Sequence, residues 1–185
     1  MFIQTESTPN PSAIKFLPNI LISPNQPQHF STIEEVEGKS DLVIKLFYIH
    51  GVKSVFLGND FITITKKEES DWSILKPEIL MIIMDHFNDG FTAFNEPFDK
   101  IIIDNFDTMS EIEKQIVEII ATRVRPSVAM DGGDIIYRGF EHGVVKLELR
   151  GACSGCPSSS ITLKNGIESM LKHFVPEVES VEAVN

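Results

Sequence analysis

Hydrophobic and polar positions alternate at two periods along this chain, and each change of period marks an element. Residues 2–7 read Phe2-Ile3-Gln4-Thr5-Glu6-Ser7 and run into Thr8-Pro9-Asn10-Pro11, so a strand followed by a turn is expected. Residues 13–17 predict a second short strand, and residues 18–28, rich in Pro, Asn and Gln, a loop. From Ser40 the period becomes helical. Ser40 is a candidate N-cap, Asp41 suits a helix N-terminus, and Leu42, Val43, Leu46 and Phe47 share one face up to Gly51. Residues 52–57 and 61–65 are β-branched and aromatic runs separated by Gly58-Asn59-Asp60, which predicts a hairpin. A helix is expected over residues 75–87, with Pro77 in its first turn.

The periodicity breaks over residues 88–108 and then resumes sharply. Thr108-x-x-Glu111 and Ser110-x-x-Glu113 both have the form of a capping box. Ile112, Ile116, Val117, Ile119 and Ile120 follow on one helical face, and Pro126 is expected to stop that helix at Arg125. Asp131-Gly132-Gly133-Asp134 reads as a turn rather than as paired acids. Residues 135–140 and 144–150 form a hairpin across Glu141-His142-Gly143. A helix over residues 158–174 and a last strand over 178–184 complete the order α-β-β-α-β. The pattern therefore predicts an α+β protein of two small domains, 1–89 and 107–185, joined by a linker at 90–106. The second should be a three-stranded sheet with two helices on one face.

Composition narrows the function. The 185 residues are 42% hydrophobic and 23% charged, as in a globular protein, with a net charge of −11. That acidity argues against a general nucleic-acid binder and against docking on an anionic membrane. The longest apolar runs are too short to span a bilayer. There is no secretory signal, and the first arginine is Arg123, so no arginine-rich presequence is visible. A cytoplasmic protein is expected, with a mitochondrial matrix location only if a presequence has been removed.

The chemistry sits in Gly151-Ala152-Cys153-Ser154-Gly155-Cys156-Pro157, which holds both cysteines of the chain. A Cys-x-x-Cys turn between a strand and a helix aims two sulfurs at one point. The helix N-terminus after Pro157, with Ser158, Ser159 and Ser160 as candidate caps, favours thiolate over thiol. Soft thiolates select zinc, cuprous copper or an iron–sulfur cluster. The other readings are thiol–disulfide redox chemistry and an inert packed pair. Iron–sulfur clusters and structural zinc usually take four thiolates, and this chain supplies two. His29, His50, His86, His142 and His173 are scattered and offer no ligand spacing. A second copy of the loop across a two-fold axis completes the count, with Cys153 and Cys156 of each chain holding a [4Fe–4S] cluster in a homodimer. No nucleophile–base pair or phosphate loop appears, so no enzyme is expected.

These residues also carry a resemblance. Residues 130–134, the strand pair, and Leu149-Arg150-Gly151-Ala152-Cys153-Ser154-Gly155-Cys156-Pro157 resemble the C-terminal NifU domain. Residues 8–16, 51–56, 60–66 and Asp71-Trp72 resemble the N-terminal domain of Nfu proteins. The likeness covers both domains and implies an iron–sulfur cluster scaffold or carrier. Its metal and cofactor ligands would be Cys153 and Cys156. It would receive a [4Fe–4S] cluster from an upstream donor and pass it to apo-proteins. One departure is visible: Ser40-Asp41-Leu42-Val43 stands where Ser-Pro-Leu-Ala is expected. The extension of organellar members is absent, which points to a bacterial cytosolic form. The alternatives left open are a CxxC thiol–disulfide oxidoreductase and a zinc-bridged interaction dimer.

Overall fold

The computed structural model describes residues 2–24, 27–95, 108–154 and 157–184, in two units, Met1–Lys100 and Ile101–Asn185. The protein is α+β, with a separate sheet in each unit.

In the first unit five antiparallel strands stand in the order β1-β2-β5-β4-β3. They are β1 (Gln4–Ser7), β2 (Ala13–Leu17), β3 (Gln28–Phe30), β4 (Val52–Leu57) and β5 (Ile62–Lys66). Helices α1 (Asp41–Phe47) and α2 (Trp72–Asn88) contribute Leu42, Leu46, Ile79 and Ile83 to a core shared with Phe16, Ile62 and Ile64 of the sheet. The expected cap holds: Ser40 Oγ accepts from the Val43 N–H at 3.2 Å.

Three details differ from the expectation. Strand β3 begins at the last residue of the stretch read as loop, and three residues are too few to show a period. Helix α2 starts at Trp72, not at residue 75. Asp71 Oδ1 caps the Ser73 N–H at 2.7 Å, and Pro77 falls inside the helix. The Trp72 indole N–H donates to the Pro11 carbonyl, tying this helix start to the turn after β1. Finally, residues 91–95, expected as linker, are fastened to the first unit. Ser40 Oγ donates to the Ala93 carbonyl, and Asn95 exchanges side-chain and backbone bonds with Asp41 at 3.0 and 3.1 Å. His86, buried, bonds the Thr92 carbonyl through Nε2 at 2.8 Å. Residues 96–106 of the expected linker lie outside the described residues.

The second unit follows the expected order. Helix α3 (Glu111–Ile119) opens with the Ser110–Glu113 box, complete in both directions. Pro126 does not stop the helix. A π-helical turn, Ile120–Val124, leads directly into α4 (Arg125–Met130), and the Arg125 N–H donates to the Ile120 carbonyl five residues back. Widening the helix by one residue accommodates a proline that has no N–H for the regular ladder.

Strands β6 (Gly133–Glu141) and β7 (Val144–Gly151) form the hairpin through His142 and Gly143, both left-handed at φ 50° and 79°, the geometry of the tightest hairpin turns. Helix α5 (Pro157–Phe174) is the crossover that lets β8 (Ser180–Val184) pair parallel to β7, giving the sheet order β6-β7-β8. A bulge at Arg138 and Gly139 sets two residues against Lys146. It restores the alternation so that Phe140 faces Val145 on the core side. Ile116, Ile119, Val128, Ile135, Val145, Leu147, Leu171 and Val181 form one core, so α3–α4 and α5 cover the same face of the sheet.

Candidate metal centre

The loop that carries the cysteines begins where the β6–β7 ladder closes, at the pair Gly133–Gly151. Gly151 is left-handed at φ 67°, which ends the strand and turns the chain toward α5; a side chain there would be strained. Gly132, at φ 79°, makes the matching turn before β6. The Ala152 N–H donates to the Gly132 carbonyl at 3.1 Å, and the Ser154 N–H closes back on the Gly151 carbonyl at 3.0 Å. The loop is thus sewn to the turn at residues 131–133, which is 20 positions away along the chain.

Cys153 is 5% exposed and packs into the core of the second unit. Gly155 and Cys156 lie outside the described residues, as do the side chains of residues 157–160, including the candidate caps Ser158, Ser159 and Ser160. Helix α5 starts at Pro157, so the positive end of its dipole faces the loop it leaves.

Behind the loop stands a charge pair that pattern reading missed. Asp134, 4% exposed, accepts two hydrogen bonds from Arg125, Nε to Oδ1 and Nη2 to Oδ2, each 2.8 Å. Those bonds hold the Arg125 guanidinium more firmly protonated, against the opposing effect of burial. This fork fixes the first residues of β6 to α4, on the strand that begins at Gly133. In the sequence the two aspartates looked alike; Asp131 instead ends α4.

Two further clusters brace the sheet. Burial would raise the carboxyl of Glu148, but hydrogen bonds from Arg150 and Arg138 overcome it and leave the group below its ordinary value. Burial, with Glu113 accepting from its hydroxyl at 2.9 Å, pushes the Tyr137 phenol well up. Among the described residues no group of three His, Cys, Asp or Glu side chains converges as a metal site. His86 is buried in the first unit, with Nε2 bonded to the Thr92 carbonyl. No described helix is long and apolar enough to cross a membrane.

Comparison with known proteins adds an independent line. The model of the scaffold protein Nfu/NifU N-terminal family matches residues 3–90, and that of the NifU-like domain matches residues 116–182. Over the whole chain the sequence is 49% identical to the human NFU1 iron-sulfur cluster scaffold homolog, mitochondrial, covering 72% of it. It is 45% identical to the homolog of the same name from Drosophila ananassae, again over the whole chain. The chain spans 64% of that fly protein's length. A solution structure of a NifU-like protein from Saccharomyces cerevisiae aligns with 52% of the chain and 87% of its own, at 28% identity and a TM-score of 0.48. These names correct one expectation. The bacterial cytoplasmic assignment rested on a missing extension and a missing presequence, whereas the relatives are mitochondrial by name and longer than this chain.

Proposed function

The chain belongs to the Nfu/NifU iron–sulfur scaffold family, and on that premise we propose that it holds an iron–sulfur cluster as cargo and hands it to apo-proteins. In this reading the cluster is [4Fe–4S], bound between two copies of the chain by Cys153 and Cys156 of each. The carrying observation is that the whole chain contains two cysteines, in one strand-to-helix loop. Half of a four-thiolate site per chain means that a cluster must be shared. A shared cluster is also easier to give away than one enclosed by a single chain. The protein is a carrier, and its role ends in transfer rather than turnover. An upstream donor loads it, and the clients are apo iron–sulfur proteins.

The second unit supplies the ligands. The first unit has no cysteine, and it serves client recognition or shielding of the cluster.

The test is anaerobic reconstitution with ferrous iron and sulfide, followed by Mössbauer spectroscopy, iron and sulfide counts and native mass. The expected result is one [4Fe–4S] cluster per two chains, with the metal-free protein mostly monomeric. A full cluster on a strict monomer without added thiol would overturn the shared site. Robust disulfide reductase turnover would favour the oxidoreductase, and a zinc-only dimer the interaction module.

A further inference from the structure

The Cys153 sulfur rests against bare backbone. A Cβ built on Gly133 would stand 2.6 Å from Cys153 Sγ, 3.2 Å from its Cβ and 2.7 Å from the Arg150 carbonyl oxygen. Gly133 has no unusual φ to explain its identity; the constraint there is space. The backbone that forms this seat is held on three sides. Gly133 pairs with Gly151, Gly132 receives the Ala152 N–H, and the next residue, Asp134, is forked by Arg125.

Resting on the reading of Cys153 as a cluster ligand, we infer that Gly133 is a positioning residue, whose missing side chain is the seat that fixes where the Cys153 sulfur stands. Carbon atoms in contact prefer about 3.5–4.0 Å, and sulfur is no smaller, so an alanine here drives the sulfur away by about 1 Å. Metal–ligand distances tolerate only about 0.2 Å. Cys153 belongs to the same filled core as Ile135 and Val128, so movement of the displaced sulfur deeper into that core is opposed by close packing. Loss of a group that orients a metal ligand weakens metal binding by about 10- to 100-fold, and Gly133→Ala is expected to fall in that range.

The experiment uses the full chain under anaerobic conditions. In a Cys156→Ser background Cys153 is the only thiol, and its alkylation by iodoacetamide is followed without denaturant. Gly133→Ala should speed that reaction several-fold more than a control substitution in the same unit that lowers the urea midpoint equally, because local opening alone accounts for the control's rate, and a rate no faster than the control's overturns the proposal. The urea midpoint lost on Gly133→Ala is then compared with Cys153 present and with Cys153→Ala. A smaller loss once the sulfur is gone supports the seat, as does recovery of folding if Gly133→Ala alone fails to fold. An equal loss, or failure of both to fold, assigns the glycine to the Arg150 carbonyl and overturns it. With both cysteines present, cobalt(II) is titrated through its thiolate charge-transfer band. A midpoint about 10- to 100-fold weaker in Gly133→Ala is expected, and an equal midpoint overturns the positioning role. If the natural chain bound neither cobalt nor a reconstituted cluster, the ligand reading would fail, while alkylation and urea would still decide whether Gly133 seats the sulfur.

Discussion

Replacing Arg125 by Met tests the charge pair behind the loop. The change keeps an unbranched stem and removes the guanidinium, leaving Asp134, whose side chain is 6% exposed, without its fork. Breaking a buried pair from one side costs about 3–5 kcal/mol, because the abandoned charge remains desolvated. The Arg125 side chain is itself 42% exposed, so water screens the site and the cost falls below that range, to about 2 kcal/mol. In a unit of this size about 2 kcal/mol lowers Tm by roughly 8–16 °C. The two units need not unfold together, so the probes must separate them. Trp72 is the single tryptophan and lies in the first unit, so its fluorescence reports that unit, whereas far-ultraviolet circular dichroism reports both. Arg125→Met should lower the circular dichroism transition and leave the fluorescence transition in place. Adding Asp134→Leu should recover much of the loss, since an apolar pair of similar volume replaces a broken ionic one. A loss below about 0.5 kcal/mol would refute the reasoning, because such values belong to ordinary surface substitutions.

The capping box at α3 gives a pH dependence. The Ser110 N–H, then the Tyr137 hydroxyl and Ser110 Oγ, hold the Glu113 carboxyl below its ordinary 4.5. A depressed folded value means that its stabilisation is complete above about 4.5 and is lost as pH falls through the lower folded value. Glu113→Gln should flatten that part of the acid limb in thermal melts, and identical slopes would contradict the assignment; Ser110→Ala should cost about 1 kcal/mol. Cys153→Ser and Cys156→Ser should each abolish stable cluster binding, read from the visible absorbance after gel filtration, because each removes two ligands from a shared site. If only one of them traps a mixed disulfide with a partner, a resolving-cysteine mechanism is at work instead. Residues 107–185 alone should fold, dimerise on reconstitution and hold the cluster. Removing residues 1–89 should slow transfer to some apo-enzymes without preventing assembly, and failure of assembly would place the first unit in the site.

Much of the fold was legible because its signals are local. A cap and its partner sit three residues apart, as in Ser40–Val43 and Ser110–Glu113, and one turn of chain is enough to write them. Strand periods and the two glycine-marked hairpins are equally short-range, so the α+β class and the α-β-β-α-β order followed from pattern alone. The cysteine pair and its shortage of ligands were likewise visible as a count. What the sequence could not express depends on distance through space. Residues 91–95 read as linker because nothing near them says that Ser40 and Asp41 wait 53 and 54 positions away. Pro126 read as a helix stop because a proline's local preference is to end one. The core face of α3–α4, which keeps Val124 and Val128 buried together, is better served by a π turn. Asp134 looked like half of a turn until the sheet brought it to Arg125, and Gly133 looked like its neighbour Gly132. One is a glycine for its φ, the other for the sulfur and the carbonyl that lie against it. Sequence alone determined most of the elements, though not β3 or the helix beyond Pro126, and that the thiolates are two, since these are properties of short stretches. Tertiary structure decided what surrounds Cys153, because close contact is set by how the hairpin, the helix and the loop meet.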